Sequence, residues 1–163
     1  MINKINNLFV TLFGIGKIKK IPGSLASLTT IFVLYFFFHV LNISPNIILF
    51  FLLIIFLLSL YSINIYIKNL TDKDPKEVVI DEFVGQSIPI SLYEVAHSTT
   101  RDNYEIIKFY FIMFVLFRIF DILKPYPVSY YDKNFKNSFG IMMDDVCAGL
   151  YVVAIMVLYM VLS

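Results

Sequence analysis

Long uncharged stretches alternate with short charged ones along this chain. Residues 25–41 and 47–67 contain no Lys, Arg, Asp or Glu, and each approaches the roughly 20 apolar residues that cross a bilayer core. Both read as transmembrane helices. The link from Asn42 to Asn46 is short, uncharged and built of turn residues, so the pair is expected to form an antiparallel helical hairpin. Residues 146–162 give a third span. Residues 104–120 give a fourth, with Lys108 and Arg118 near its ends, where long basic side chains reach the interface. Residues 78–93 are apolar but short, open with Asp81 and Glu82, and contain Gly85 and Pro89, which reads as a kinked span or a re-entrant helix. The apolar patch before Gly16 has the look of a signal peptide. However, Lys17, Lys19 and Lys20 interrupt it and no small-residue cleavage site follows, so residues 1–20 are read as a membrane-surface segment of the mature chain. The expectation is an all-α, polytopic membrane helical bundle, with four clear spans plus one short kinked or re-entrant helix, forming a single domain over residues 1–163.

Composition supports lipid as the main solvent. Of 163 residues, 59% are hydrophobic and 15% charged, with a mean hydropathy of +0.80, too apolar for an ordinary water-facing domain. A net charge of +1 leaves no basic footprint for nucleic acid. Cys147 is the single cysteine, which excludes an intrachain disulfide and any multi-cysteine zinc site. The basic residues then orient the chain. With the N-terminus inside, the inner segments hold Lys4, Lys17, Lys19, Lys20, Lys68, Lys73, Lys76, Lys124, Lys133 and Lys136, against Arg101 and Lys108 outside. This asymmetry predicts five membrane segments with the C-terminus, Ser163, outside.

That topology gathers sequence-distant polar groups at the inner helix ends: Pro22-Gly23-Ser24, Asp81-Glu82, Arg118 to Lys124, and Asp144-Asp145. A carboxylate at mid-membrane costs about 2.5–3.5 kcal/mol on the insertion scale, so these groups are expected to be wet, paired or metal-bound. Taken singly, each has a plainer explanation. The acidic pairs suit helix N-termini, where the dipole favours anions, and Ser24 suits an N-cap with anion-binding amides behind it. Arg118, Asp121 and Lys124 at i, i+3 spacing suit an ion-pair ladder on one helix face. Together, Asp81, Glu82, Asp121, Asp144 and Asp145 crowd five carboxylates into one place. Such crowding calls for a hard divalent cation, Mg²⁺ or similar, and so for metal–phosphate chemistry. Asp81, Glu82, Asp144 and Asp145 are the expected ligands. Arg118 offers a planar fork to a phosphate and Lys124 a point charge. His39, His97 and Cys147 are expected to play no catalytic part.

Four blocks carry a resemblance: Pro22-Gly23-Ser24-Leu25-Ala26-Ser27-Leu28, Val79-Ile80-Asp81-Glu82-Phe83-Val84-Gly85, Phe117-Arg118-Ile119-Phe120-Asp121-Ile122-Leu123-Lys124-Pro125-Tyr126-Pro127, and Gly140-Ile141-Met142-Met143-Asp144-Asp145-Val146-Cys147-Ala148-Gly149. In order and spacing they resemble the phosphatidylglycerophosphatase A family over about residues 13–155. The chain departs from the family with Ser24 for Thr, Ala26 for Gly, and an approach to the Asp-Asp pair, Lys136 to Gly140, that is not glycine-rich. The resemblance implies a Mg²⁺-dependent phosphatase of the bacterial inner membrane, hydrolysing phosphatidylglycerophosphate to phosphatidylglycerol in phospholipid biosynthesis. Its site would face the cytoplasm. The site residues are then Asp121, Asp144, Asp145 and Arg118 as catalytic groups, and Gly23, Ser24, Arg118 and Lys124 as substrate-binding ones. A metal-activated water and an aspartyl-phosphate both fit the carboxylates. The competing class is a small ion-coupled carrier or channel, since intramembrane carboxylates also mark ion paths.

Overall fold

The computed structural model describes residues 2–68, 70–97 and 102–162. Met1, Arg101 and Ser163, which entered the topology argument, lie outside the described residues. Among the described residues there are helices and no strand. In chain order they are α1 (Ile2–Val10), a 3₁₀ turn (Ile15–Lys17), α2 (Pro22–Tyr35), which continues as a π-helical stretch (Phe36–Val40), α3 (Pro45–Ile67), α4 (Ile80–Ala96), α5 (Asn103–Leu123), α6 (Val128–Asn134) and α7 (Ser138–Leu162). Three of them, Pro22–Val40, Pro45–Ile67 and Ser138–Leu162, are long and apolar enough to cross a membrane. Phe32, Phe50, Leu57 and Val161 are each more than half exposed, an outward apolar surface that suits lipid contact.

α4 is the axis of the bundle and packs against α2, α3, α5 and α7. Its residues explain the placement. Asp81, Gln86, Ser87 and Ser91 are buried beside Val84 and Ile90, so the polar groups of α4 are kept from lipid by the helices around them. Gly85 and Pro89 do not interrupt this helix. They form its crossing with α7, where a Cβ on Gly149 would meet the Gly85 carbonyl oxygen at 2.4 Å and Pro89 Cδ at 3.5 Å. Pro89 has no N–H to offer the Gly85 carbonyl four residues back, and the bare backbone of Gly149 packs against that carbonyl. In the stretch expected to form a hairpin the chain passes from α2 to α3 through residues 41–44, and α4 packs against both helices. The N-terminal segment read as membrane-surface forms α1, which packs on α3 through the Asn6 Nδ2 bond to the Ser62 carbonyl at 3.0 Å. Val79 N–H donates to the Val10 carbonyl at 3.0 Å, tying the turn before α4 to the end of α1.

Three local expectations are also corrected. α7 begins at Ser138 with the Gly140 N–H held by Asn137 Oδ1 at 3.0 Å, so Asp144 and Asp145 sit inside the helix and do not cap it. α2 is entered through Ile21 in the left-handed region, φ 48°, and Ser24 is its third residue instead of its N-cap. Lys124 leaves α5 in the left-handed region, φ 45°, because Pro125 disfavours another helical residue before it. It therefore does not share a face with Arg118 and Asp121.

Candidate active site

The starts of α2, α4 and α7 and the end of α5 meet at one end of the bundle, and with them the polar residues singled out in the sequence. Asp81 and Glu82 occupy the first turn of α4, and Asp145 reaches them from α7. One carboxylate oxygen from each lies within 4.8 Å of the others. Asp81 is 8% and Asp145 3% exposed. Asp81 Oδ1 and Glu82 Oε2 are buried with no hydrogen-bond partner among the described residues. Three carboxylates this close, two buried and Glu82 half-buried, repel one another, and orphaned oxygens cost more still. An all-oxygen set of this kind fits a hard divalent cation.

A cation from the protein stands beside the triad. Arg118 Nη1 is 2.7 Å from Asp121 Oδ2, yet its hydrogens are poorly aimed, and Nε and Nη1 have no hydrogen-bond acceptor among the described residues. Asp121 is near enough to Glu82 and Asp145 to repel both. Gly23 completes the wall: a Cβ there would fall 2.1 Å from Glu82 Oε1 and 3.3 Å from Arg118 Nη1. Only a bare backbone lets the start of α2 approach so closely. The Gly23 and Ser24 N–H groups precede the first i−4 bond of α2, donated by Leu25 to Ile21 at 3.1 Å, and helix geometry leaves them open to an anion.

Asp144 turns the other way. Its Oδ1 accepts the Asp145 N–H at 2.9 Å and its Oδ2 accepts from Lys124 Nζ at 2.9 Å. Lys124 also donates to Asp132 Oδ1 on α6 at 2.7 Å, so the ammonium is clamped between α6 and α7 at the rim of the site. Burial works against the Lys124 charge, but these two carboxylates more than offset it and hold its pKa above the usual lysine value. Burial opposes the charge of Asp132 as well, and Lys124 prevails, keeping that carboxyl below the usual range. Asp74, in the loop before α4, is pushed up by burial and by Asp132, with Lys124 pulling the other way.

The structure thus brings together Gly23, Ser24, Asp81, Glu82, Arg118, Asp121 and Asp145, and sets Lys124 and Asp144 in an adjoining strut. Asp132 was missed in the sequence. The available signal was its place on a short helix started by Pro127, close behind Lys124. His39 and His97 lie at the far end of the bundle. There His39 Nε2 is 3.4 Å from both Glu94 Oε1 and the Tyr110 hydroxyl, and Tyr110 donates to Glu94 at 2.8 Å. Cys147 is a buried residue of the core around Phe117 and Met113.

Comparison with known proteins identifies a matching family and relatives of this chain. The family model described as Phosphatidylglycerophosphatase A matches residues 8–160. A phosphatidylglycerophosphatase A of Haemophilus influenzae is 34% identical over 155 residues, 95% of this chain and 88% of the relative. One of Escherichia coli is 29% identical over 151 residues, 85% of this chain and 73% of the relative. A protein of Bacteroides thetaiotaomicron provisionally named a phosphatidylinositol-3-phosphatase is 44% identical over 79 residues, 48% of this chain and 45% of the relative. No solved structure matches the chain.

Proposed function

This chain belongs to the phosphatidylglycerophosphatase A family, and from that premise we propose that it removes the terminal phosphate of phosphatidylglycerophosphate in a Mg²⁺-dependent hydrolysis that serves phospholipid biosynthesis. That it is a phosphatase follows from the family. The observation that carries the finer reading is the juxtaposition of the Asp81–Glu82–Asp145 triad with Arg118, whose Nε and Nη1 have no hydrogen-bond acceptor among the described residues.

The triad would hold the Mg²⁺, which when bound offsets the carboxylate charge and polarises a phosphoryl oxygen. Arg118 supplies a guanidinium fork to the phosphate, and the Gly23 and Ser24 N–H groups supply a helix N-terminus. In the hydrolysis a water oxygen bonds to phosphorus while the phosphorus–oxygen bond to the glycerol carbon chain breaks. The departing oxygen takes a proton, leaving phosphatidylglycerol and inorganic phosphate. Asp121 stands outside the triad, paired with Arg118, and is the carboxylate left to take the water's proton. Lys124 holds Asp144 at the rim, and through the Asp145 N–H the two orient the triad's third carboxylate.

The membrane arrangement follows the same reading. α4 and α5 join the three apolar helices as membrane segments: 17 and 21 residues correspond to about 26 and 32 Å against a core of about 30 Å. The lysines at the site end support a cytoplasmic orientation for it, and the family supports a bacterial inner membrane as its setting. The test is phosphate release by detergent-solubilised protein offered phosphatidylglycerophosphate and phosphatidylinositol-3-phosphate in parallel. The first should turn over faster, and chelation should abolish turnover until Mg²⁺ is restored. Preference for the inositol lipid, or full activity in chelator, would overturn the reading.

A further inference from the structure

Around Arg118 the lipid-facing side of α5 carries a shallow depression of about 360 Å³, lined by Phe114, Val115, Arg118, Ile119, Ile122 and Leu123. Every residue of its wall except Arg118 is apolar. Val115, Ile119 and Ile122 are 38%, 42% and 69% exposed, and their spacing lines them along one stripe of the helix. Arg118 belongs to two surfaces at once. Its stem lines the depression, while its guanidinium turns inward to Asp121 at 2.7 Å and toward Gly23, the arrangement in which a long cationic side chain covers apolar surface and delivers its charge elsewhere. An exposed apolar stripe on α3, Phe50, Leu53, Leu57 and Leu58, lies on a helix with no Lys or Arg.

We propose that this depression receives an acyl chain of the same lipid whose phosphate reaches Arg118, so that substrate enters the site sideways from the bilayer, between α2 and α5. The inference rests on the phosphatase reading. An anionic headgroup joined to an apolar tail is the ligand whose two ends match an acceptor-poor guanidinium and the apolar stripe beside it. A water-soluble phosphate ester would use the guanidinium alone. Val115 and Ile119 are then specificity residues for the tail.

Filling the depression tests this. The ratio of kcat/KM for a long-chain phosphatidylglycerophosphate in mixed micelles to that for its deacylated headgroup should fall about tenfold in Val115→Trp and in Ile119→Trp, the scale of a lost apolar pocket contact. Leu53→Trp on α3 should leave the ratio unchanged. An unchanged ratio in the α5 variants, or an equal fall in Leu53→Trp, would overturn the proposal. A phosphatidylglycerophosphate bearing a diazirine on its acyl chain provides a readout independent of turnover. Labelling concentrated on residues 114–122 over residues 50–58 supports the groove, and even labelling of both stripes overturns it. If wild-type protein releases phosphate from neither substrate, the phosphatase reading fails, and the labelling pattern still decides whether lipid occupies the groove.

Discussion

Gly23 lies against Glu82 so closely that a Cβ at position 23 would sit 2.1 Å from Glu82 Oε1. The obstructing atom is the end of a flexible side chain, so a larger residue is accommodated by moving the carboxylate. In Gly23→Ala the fold should persist while Glu82 leaves its place in the triad. Misplacement by about 1 Å costs on the order of 100-fold in rate. Phosphate-release assays should show that loss with a melting temperature within a few degrees of wild type.

The contrasting case is Gly149, where the clash is with backbone. A Cβ there meets the Gly85 carbonyl oxygen at 2.4 Å, and α4 and α7 can relieve it only by separating. Gly149→Ala should destabilise the protein by about 1–3 kcal/mol, the usual cost of overpacking. Thermal unfolding in detergent would register it as a lowered midpoint.

The triad gives a signature in stability as well as in turnover. Asp81, Glu82 and Asp145 repel one another, so Asp145→Asn should raise the melting temperature in chelator. Mg²⁺ should raise the wild-type midpoint in proportion to the logarithm of its concentration above Kd and leave that of Asp145→Asn nearly unmoved. Melting curves across a Mg²⁺ series supply both comparisons.

How much of this was legible in the sequence depends on the kind of feature. The apolar runs of α2, α3 and α7 stand out because lipid demands them, and the charged motif positions stand out because lipid penalises them. The central position of α4 did not, because its polar and small residues, Gly85, Gln86, Ser87 and Ser91, resemble interruptions until the helices that bury them are in place. Helix starts were misplaced for a related reason. The start of α7 at Ser138 is set by Asn137 and lies before the apolar run, so hydropathy begins the span too late and makes Asp144 and Asp145 look like caps. The partners of Lys124 were hidden because its left-handed φ turns it off the α5 face and toward Asp132, a contact that helical spacing from Arg118 cannot anticipate.

Asp132 carries a pH signature. Its carboxyl is held below the unfolded value of about 3.9, so its contribution to stability is full above that pH and is lost as pH falls through the lower folded value. Asp132→Asn should therefore melt below wild type at pH 7, and the gap should close as the buffer is taken below the ordinary aspartate range. A series of melting curves over that range checks the sign.

Arg118 separates phosphate binding from simple ion pairing with Asp121. Arg118→Lys keeps the charge and loses the fork, so it should cost about 2–4 kcal/mol in transition-state stabilisation, comparable to one preorganised oxyanion donor. Arg118→Ala should be similarly impaired. Near-normal kcat/KM in the lysine variant would reduce Arg118 to a partner for Asp121.

The most direct test compares the two ends of the bundle in one assay. Inorganic phosphate released from phosphatidylglycerophosphate is measured for Asp81→Asn, Glu82→Gln and Asp145→Asn at the site end and for His39→Gln and Glu94→Gln at the far end, at equal amounts of folded protein. The triad variants should lose on the order of 100-fold or more, the scale of removing a preorganised catalytic group, while the far-end variants stay within a few-fold of wild type. Triad variants that turn over at near the wild-type rate, or far-end variants that are inactive, would contradict the assignment of hydrolysis to the Asp81–Glu82–Asp145 site.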